Sequence, residues 1–267
     1  SDTDGSATTT VSGNQPTNAD SPLDPASSID PVSGRPVSGS RGMLSATNFC
    51  DHPYYPLRTG YEIVYKNSYL EPTNLTGGTV PRQKPYRLKV TDASDNEATV
   101  KISFDGSTIE PTQGIKCTAD GLMAEAYVDL SSLQRGRGSV VRTTQSTGFI
   151  LPKDLHVGST WTQSFSFYTD LPGNALQPTG INVDGKVQIR RKAAREEMVN
   201  VGAGRFNAIV VETTTESTLQ FPGQGSIPLI HHGEEYWVRG KGLVKTVSSI
   251  DDSSFSATAE AETITIP

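Results

Sequence analysis

The first 45 residues of this chain contain no Phe, Tyr or Trp. They hold ten Ser, five Thr, five Pro and five Gly, with no helical or strand period. Such a segment cannot bury enough apolar surface to offset its chain entropy, so the sequence predicts a disordered tail over residues 1–45. The plain reading of the tail is a passive spacer; the sharper one is a partner-binding element. Cysteine is scarce too: Cys50 and Cys117 are the two in 267 residues, and their spacing of 67 excludes a short metal-knuckle pattern. No apolar run approaches the roughly 20 residues of a membrane-spanning helix. Basic residues are in deficit, 23 Lys and Arg against 29 Asp and Glu, which argues against electrostatic binding of nucleic acid.

Catalytic signatures are missing as well. There is no Gly-x-Ser-x-Gly elbow, no phosphate-binding Walker loop and no His-Glu-x-x-His. Gly202-Ala-Gly204, Gly223-Gln-Gly225 and Gly240-Lys-Gly242 each lack the third glycine of a dinucleotide loop, and each lies between β-like runs. They read as turns or bulges. Of the 29 acids, nothing singles out the cross-cleft pair that glycoside hydrolysis requires. The expectation is therefore a protein without enzymatic activity, cofactor or metal.

What is present lies beyond residue 45, where all 19 aromatic residues fall. The tail holds a charge of −3 of the total −6, so the rest is nearly neutral for its size. Short Thr- and Val-rich runs alternate with turn chemistry at 60–66, 86–91, 98–104, 139–143, 160–168, 185–191, 197–201, 206–214, 235–238, 243–247 and 255–266. Residues 86–104 read as a hairpin with Val90, Val100, Ile102 and Phe104 on one face. Ala193-Ala-Arg-Glu-Glu-Met198 has helix formers but reads as a tight connection between two strands, and 124–130 reads as strand. The predicted fold is all-β: an antiparallel sheet system over 46–267, as an open barrel, half-barrel or sandwich. A faint echo, Leu57-Arg-Thr-Gly60 and Leu155-His-Val-Gly158 each before an aromatic-rich strand, raises two related halves, 46–150 and 151–267.

Several clusters invite a chemical reading. His231-His232-Gly233-Glu234-Glu235 is the best metal candidate, but adjacent strand residues face opposite ways. A solvated loop around Pro228 and Gly233 is the preferred reading. His52 and His156 read as surface-turn residues. The basic stretch from Lys186 to Arg195, with Arg135, Arg137 and Arg142, reads as a strand end protected at its edge. A positive patch for anionic lipid, polysaccharide or a protein partner is the alternative. Asn74-Leu-Thr76 is a glycosylation sequon.

Four segments together resemble bacterial envelope lipoprotein domains of unknown function, the TapB2-like β domains related to lipoprotein-carrier half-barrels. They are Cys50-Asp-His-Pro-Tyr-Tyr-Pro-Leu-Arg-Thr-Gly60, Leu155-His-Val-Gly-Ser-Thr-Trp161, Gly204-Arg-Phe-Asn-Ala208 and Tyr236-Trp-Val-Arg-Gly-Lys-Gly-Leu-Val-Lys245. Ile63 departs from the pattern, which commonly has an aromatic there. The resemblance implies an envelope β domain and brings no catalytic residues. Physically, Gly60, Gly158, Gly204, Gly240 and Gly242 read as turn or bulge positions, and Trp161, Phe206, Trp237 and Leu243 as core.

The chain begins at Ser1, and a Ser/Thr/Pro/Gly flank is the composition expected behind a removed signal peptide or a lipid-anchored cysteine. In an exported protein, Cys50 and Cys117 most simply form one disulfide, worth about 3–4 kcal/mol by loop closure; the alternative is two buried thiols. The functional expectation is an exported, lipid-anchored module of the periplasm or cell surface. It would bind or support without catalysis, touching membrane only through its anchor. A cavity lined by Trp161, Phe165, Phe167 and Tyr168 would take a lipid or other apolar ligand; core packing is the preferred reading of those aromatics. The competing readings are a subunit of an extracellular assembly and a hydrolase of an envelope polymer.

Overall fold

The computed structural model describes residues 48–72, 78–108, 110–128, 141–171, 181–223, 225–250 and 255–267. The tail, the sequon at Asn74, Arg135, Arg137 and the stretch 129–130 lie outside the described residues. No helix occurs among the described residues. A short ribbon opens the fold, β1 (Asp51–His52) against β2 (Tyr55–Pro56). The other fourteen strands form one antiparallel sheet. Its first half is β3 (Glu62–Pro72), β4 (Thr79–Gln83), β5 (Tyr86–Ala93), β6 (Glu97–Phe104), β7 (Thr112–Thr118) and β8 (Gly121–Ala124). The second is β9 (Val141–Gly148), β10 (Leu151–Pro152), β11 (Thr160–Leu171), β12 (Ile181–Val201), β13 (Gly204–Phe221), β14 (Gly225–Val238), β15 (Gly242–Ile250) and β16 (Ser256–Thr265).

The strand order is β10-β8-β7-β6-β5-β3-β16-β15-β14-β13-β12-β11-β9, with β4 also on β3. The expected antiparallel system is thus present as an open sheet, with no backbone ladder joining its two ends among the described residues. The sheet curls all the same. The β12–β13 turn reaches β16, where Ala203 N–H donates to the Ala261 carbonyl at 2.9 Å. Tyr61, just before β3, and Tyr65 on β3 donate their phenols to the carbonyls of Lys241 and Leu243.

Local sequence explains the regular parts. In the β5–β6 hairpin, Val90, Val100, Ile102 and Phe104 are all buried, as their alternation requires. Ser94 closes the turn, its amide donating to the Glu97 carbonyl at 2.8 Å. Gly60 and Gly158 precede β3 and β11 with φ of 91° and 98°, a region open to glycine at no steric cost. Cys50 and Cys117 are bonded, joining the start of the folded region to β7. The main core gathers Leu57, Tyr61, Ile63, Tyr65, Tyr86, Ile115, Val210, Val211 and Trp237, with Trp161, Phe206 and Leu243 packed against it.

Four expectations are corrected. Residues 193–198 are no connection but the middle of β12, one strand of 21 residues. A bulge at Ala194 lets β12 bend there without ending, because Ala193 pairs Val211 and Arg195 pairs Val210. Residues 125–128 follow β8 as a bend and are not strand. The basic stretch lies inside β12, between β11 and β13, so it protects no edge. His52 is buried at 5% exposure because the ribbon folds it against the Pro152 carbonyl.

Candidate functional site

Strand β11 supplies the residues the sequence singles out, and its alternation divides them. Gln163, Phe165, Phe167 and Thr169 are buried, while Thr162, Ser164, Ser166 and Tyr168 stand on the other face. Phe165 and Phe167 pack with Ala124 and Val187 in a second apolar cluster, with the Tyr127 ring 5.4 and 5.3 Å from theirs. Gly185, opposite Phe167 in the register, leaves the space its ring occupies. Trp161 packs against the main core and donates Nε1 to the Ile150 carbonyl at 3.1 Å. Tyr168 projects from the opposite face, beside Asp184. The structure therefore brings Trp161, Phe165 and Phe167 to one face as packed side chains and places Tyr168 apart from them.

The open space lies on Tyr168's face. Three adjoining hollows of about 460, 230 and 450 Å³ run along β11, β12 and β13, with β9 at one side. Their walls are mixed: Thr160, Thr162, Ser164 and Ser166 on β11, Lys186, Gln188 and Lys192 on β12 and Thr214 and Thr218 on β13 supply polar groups, while Trp161, Phe165, Phe167 and Val187 also line them. Arg190 crosses the trough and binds both oxygens of Glu216, one of them at 3.0 Å, and the Gln188 amide oxygen at 2.9 Å. Seven successive strand residues extend about 20–23 Å, so the trough suits an extended chain better than a compact molecule. Sequence reasoning missed this surface. The signal was there, a hydroxyl at every second position from Thr160 to Ser166, but which face carries it is a tertiary fact.

Two ionic networks flank the trough. On the inner face, Arg191 (8% exposed) donates Nε to Glu235 at 3.2 Å and Nη1 to Gln163 at 3.0 Å; Glu235 also accepts from Trp237 Nε1 at 2.9 Å. On the outer face, Glu234 accepts from Arg195 at 2.9 Å and Tyr236 at 2.7 Å. Burial opposes ionisation of Glu234, but those two bonds outweigh it and hold its carboxyl below the usual value. Burial and the bond to Glu234 push the Tyr236 phenol up to about 12.

The other clusters resolve simply. His231 to Glu235 lie within β14 and not in the expected loop, because β13 pairs every rung from Thr215↔His231 to Val211↔Glu235. Among the described residues no group of three His, Cys, Asp or Glu side chains is placed for a metal ion. Ser159 Oγ lies 3.1 Å from His156 Nδ1, but that nitrogen also faces the Asp154 carbonyl at 2.9 Å. A carbonyl only accepts, so Nδ1 bears the proton and cannot take one from Ser159.

The described residues define an all-β domain built on one open antiparallel sheet, with a trough on one face. No family model and no curated protein matches the chain. Among solved structures, it is similar to a candidate exported protein with a YmcC-like fold from Bacteroides fragilis: 15% identity, TM-score 0.50, 78% of this chain and 97% of that one covered. A candidate lipoprotein from Parabacteroides distasonis aligns at 13% identity, TM-score 0.48, covering 82% and 99%. The hypothetical lipoprotein YmcC of Escherichia coli aligns at 7% identity, TM-score 0.32, covering 84% and 91%. The first of these likenesses is one of fold, and it agrees with the resemblance to envelope lipoprotein β domains seen in the sequence.

Proposed function

We propose that the chain is an exported, lipid-anchored cell-envelope protein that acts as a non-enzymatic binding module, with the trough of β11–β13 as its binding surface. The Cys50–Cys117 disulfide carries this reading, since such bonds persist in oxidising compartments. The description of the Bacteroides fragilis structure it resembles, an exported protein, supports the same compartment. The ligand that fits is hydroxyl-rich and extended instead of apolar. The side chains of Phe165 and Phe167 pack in the second apolar cluster, and along the trough that they help to line, hydroxyls, amides and the Lys186 ammonium are presented to polar partners.

The compartment is tested by expressing the natural precursor and fractionating the cells. Recovery in the envelope, with both cysteines resisting alkylation under denaturing conditions until reduced, supports the reading. Cytoplasmic recovery with two free thiols overturns it. For the binding surface, native mass spectrometry of gently purified protein reads any retained ligand. Loss of that ligand in Lys186→Glu/Ser166→Trp, with the fold intact by circular dichroism, supports the trough; unchanged retention places binding elsewhere.

A further inference from the structure

The β13–β14 hairpin runs past the end of its neighbour. Its ladder extends from Phe221↔Gly225 inward, whereas β14 meets β15 only from His231↔Ile250. Residues 225–230 therefore have β13 on one side and no strand on the other among the described residues. The register sets Leu219 opposite Ile227, Phe221 opposite Gly225 and Ser217 opposite Leu229. Leu219, Phe221, Ile227 and Leu229 thus share one face, with Thr218, Gln220 and Ser226 on the other. Leu219 packs on the second apolar cluster. Beyond it the apolar face continues into solvent, with Ile227 48% and Leu229 36% exposed, and Ile230, 41% exposed, stands on the opposite face at the same open edge.

Charge identifies the occupant. Residues 217–232 contain no Asp, Glu, Lys or Arg, in a chain that is 19% charged. Protein interfaces set register and steer encounter with charges around a polar rim, and this hairpin has none. The headgroup and acyl boundary of a bilayer instead rewards buried apolar side chains and needs no charge to seat them. We infer that the β13–β14 hairpin seats its Phe221–Ile227–Leu229 face in the interfacial layer of a lipid membrane. This rests on the envelope reading, which puts a membrane within reach. The open edge of residues 225–230 holds the hairpin at headgroup depth, because its unpaired backbone groups need water or headgroup partners. The sequence between β15 and β16 adds Asp251 and Asp252 and no basic residue, so attraction to anionic lipid is not the driving force.

The test uses the purified full chain and vesicles of phosphatidylcholine, and is independent of where the cell puts the protein. The expected result is co-flotation that changes little with salt. Ile227→Ser/Leu229→Ser then weakens partition roughly tenfold or more, while circular dichroism and the disulfide are unchanged. A Leu229→Trp variant shifts its emission to the blue only when vesicles are added. The inference is overturned if the chain does not float, or if the double serine variant floats equally well. It is also overturned if Leu229→Trp emits in the blue without lipid, since the protein itself then covers the face. A dimer in light scattering that the serine variant dissolves assigns the face to a second copy. Envelope recovery without flotation defeats this inference alone; cytoplasmic recovery defeats the compartment reading.

Discussion

The Ser146 hydroxyl donates to the Ala124 carbonyl. Ser146 lies on β9, the last strand at one end of the sheet, and Ala124 ends β8, one strand from the other end. Nearby, the Tyr127 amide donates to Thr143 Oγ1 at 2.7 Å. Two bonds to side chains thus hold together what a backbone ladder would otherwise close, and Phe165, Phe167 and Val187 lie beneath that seam.

Ser146→Ala removes one of the two bonds and leaves the Ala124 carbonyl without its donor. The expected loss is about 1 kcal/mol of stability. Hydrogen exchange should quicken at residues 122–128 and 143–148 while the β5–β6 hairpin is unaffected. Uniform acceleration along the whole sheet would show that the seam does not open locally.

Gly185→Ala places a methyl group within the volume of the Phe167 ring. The ring must leave its position, at a cost of roughly 1–3 kcal/mol. Phe167→Leu in the same chain should recover part of that loss. Chemical denaturation of the single and double variants checks the coupling, and strictly additive losses would count against the contact.

His52 makes stability pH-dependent. Tyr54 N–H donates to Nδ1 at 3.1 Å, so the ring proton sits on Nε2 and is donated to the Pro152 carbonyl at 3.0 Å. Desolvation lowers the folded imidazole pKa, with Arg239 adding to it and the Pro152 bond opposing. An unfolded histidine titrates near about 6.5. Below that pH the unfolded chain binds the proton more readily, so stability declines on acidification through the range from 6.5 down to the folded value. His52→Gln should flatten this part of the profile in urea titrations at successive pH values.

Glu235→Gln leaves Arg191 as a buried cation without a counter-charge, since side-chain exposure at the pair is 8% and 18%. The expected cost is about 3–5 kcal/mol. Replacing both, as Arg191→Met/Glu235→Gln, should cost distinctly less, because no uncompensated charge remains. Equal losses in the two variants would show that the network contributes only through packing.

Legibility differed by element. The β5–β6 hairpin was readable because Val90, Val100, Ile102 and Phe104 alternate without interruption. Gly240 and Gly242 announced the β14–β15 turn, and both have positive φ. Strand β12 was misread because the bulge at Ala194 breaks the alternation just where Ala, Arg and Glu suggest a break. Pattern alone cannot separate a bulge from a turn, since the difference is whether a neighbouring strand continues past it. The candidate site was half legible. That β11 is aromatic on one face and hydroxylic on the other is written in its sequence; that Phe165 and Phe167 pack with Ala124 and Val187 is not.

The sequence by itself determined the strand-forming pattern, the turn glycines and the pair of cysteines. These depend on local backbone preference and on chemistry within a few residues. Tertiary structure decided the order of strands, the burial of His52, and which face of β11 became core and which became trough. Those outcomes depend on pairing between segments up to about two hundred positions apart, as β3 with β16, where Glu62 meets Thr265. Burial is a property of what covers a residue, and for Phe167 that cover is Tyr127 and the space left by Gly185.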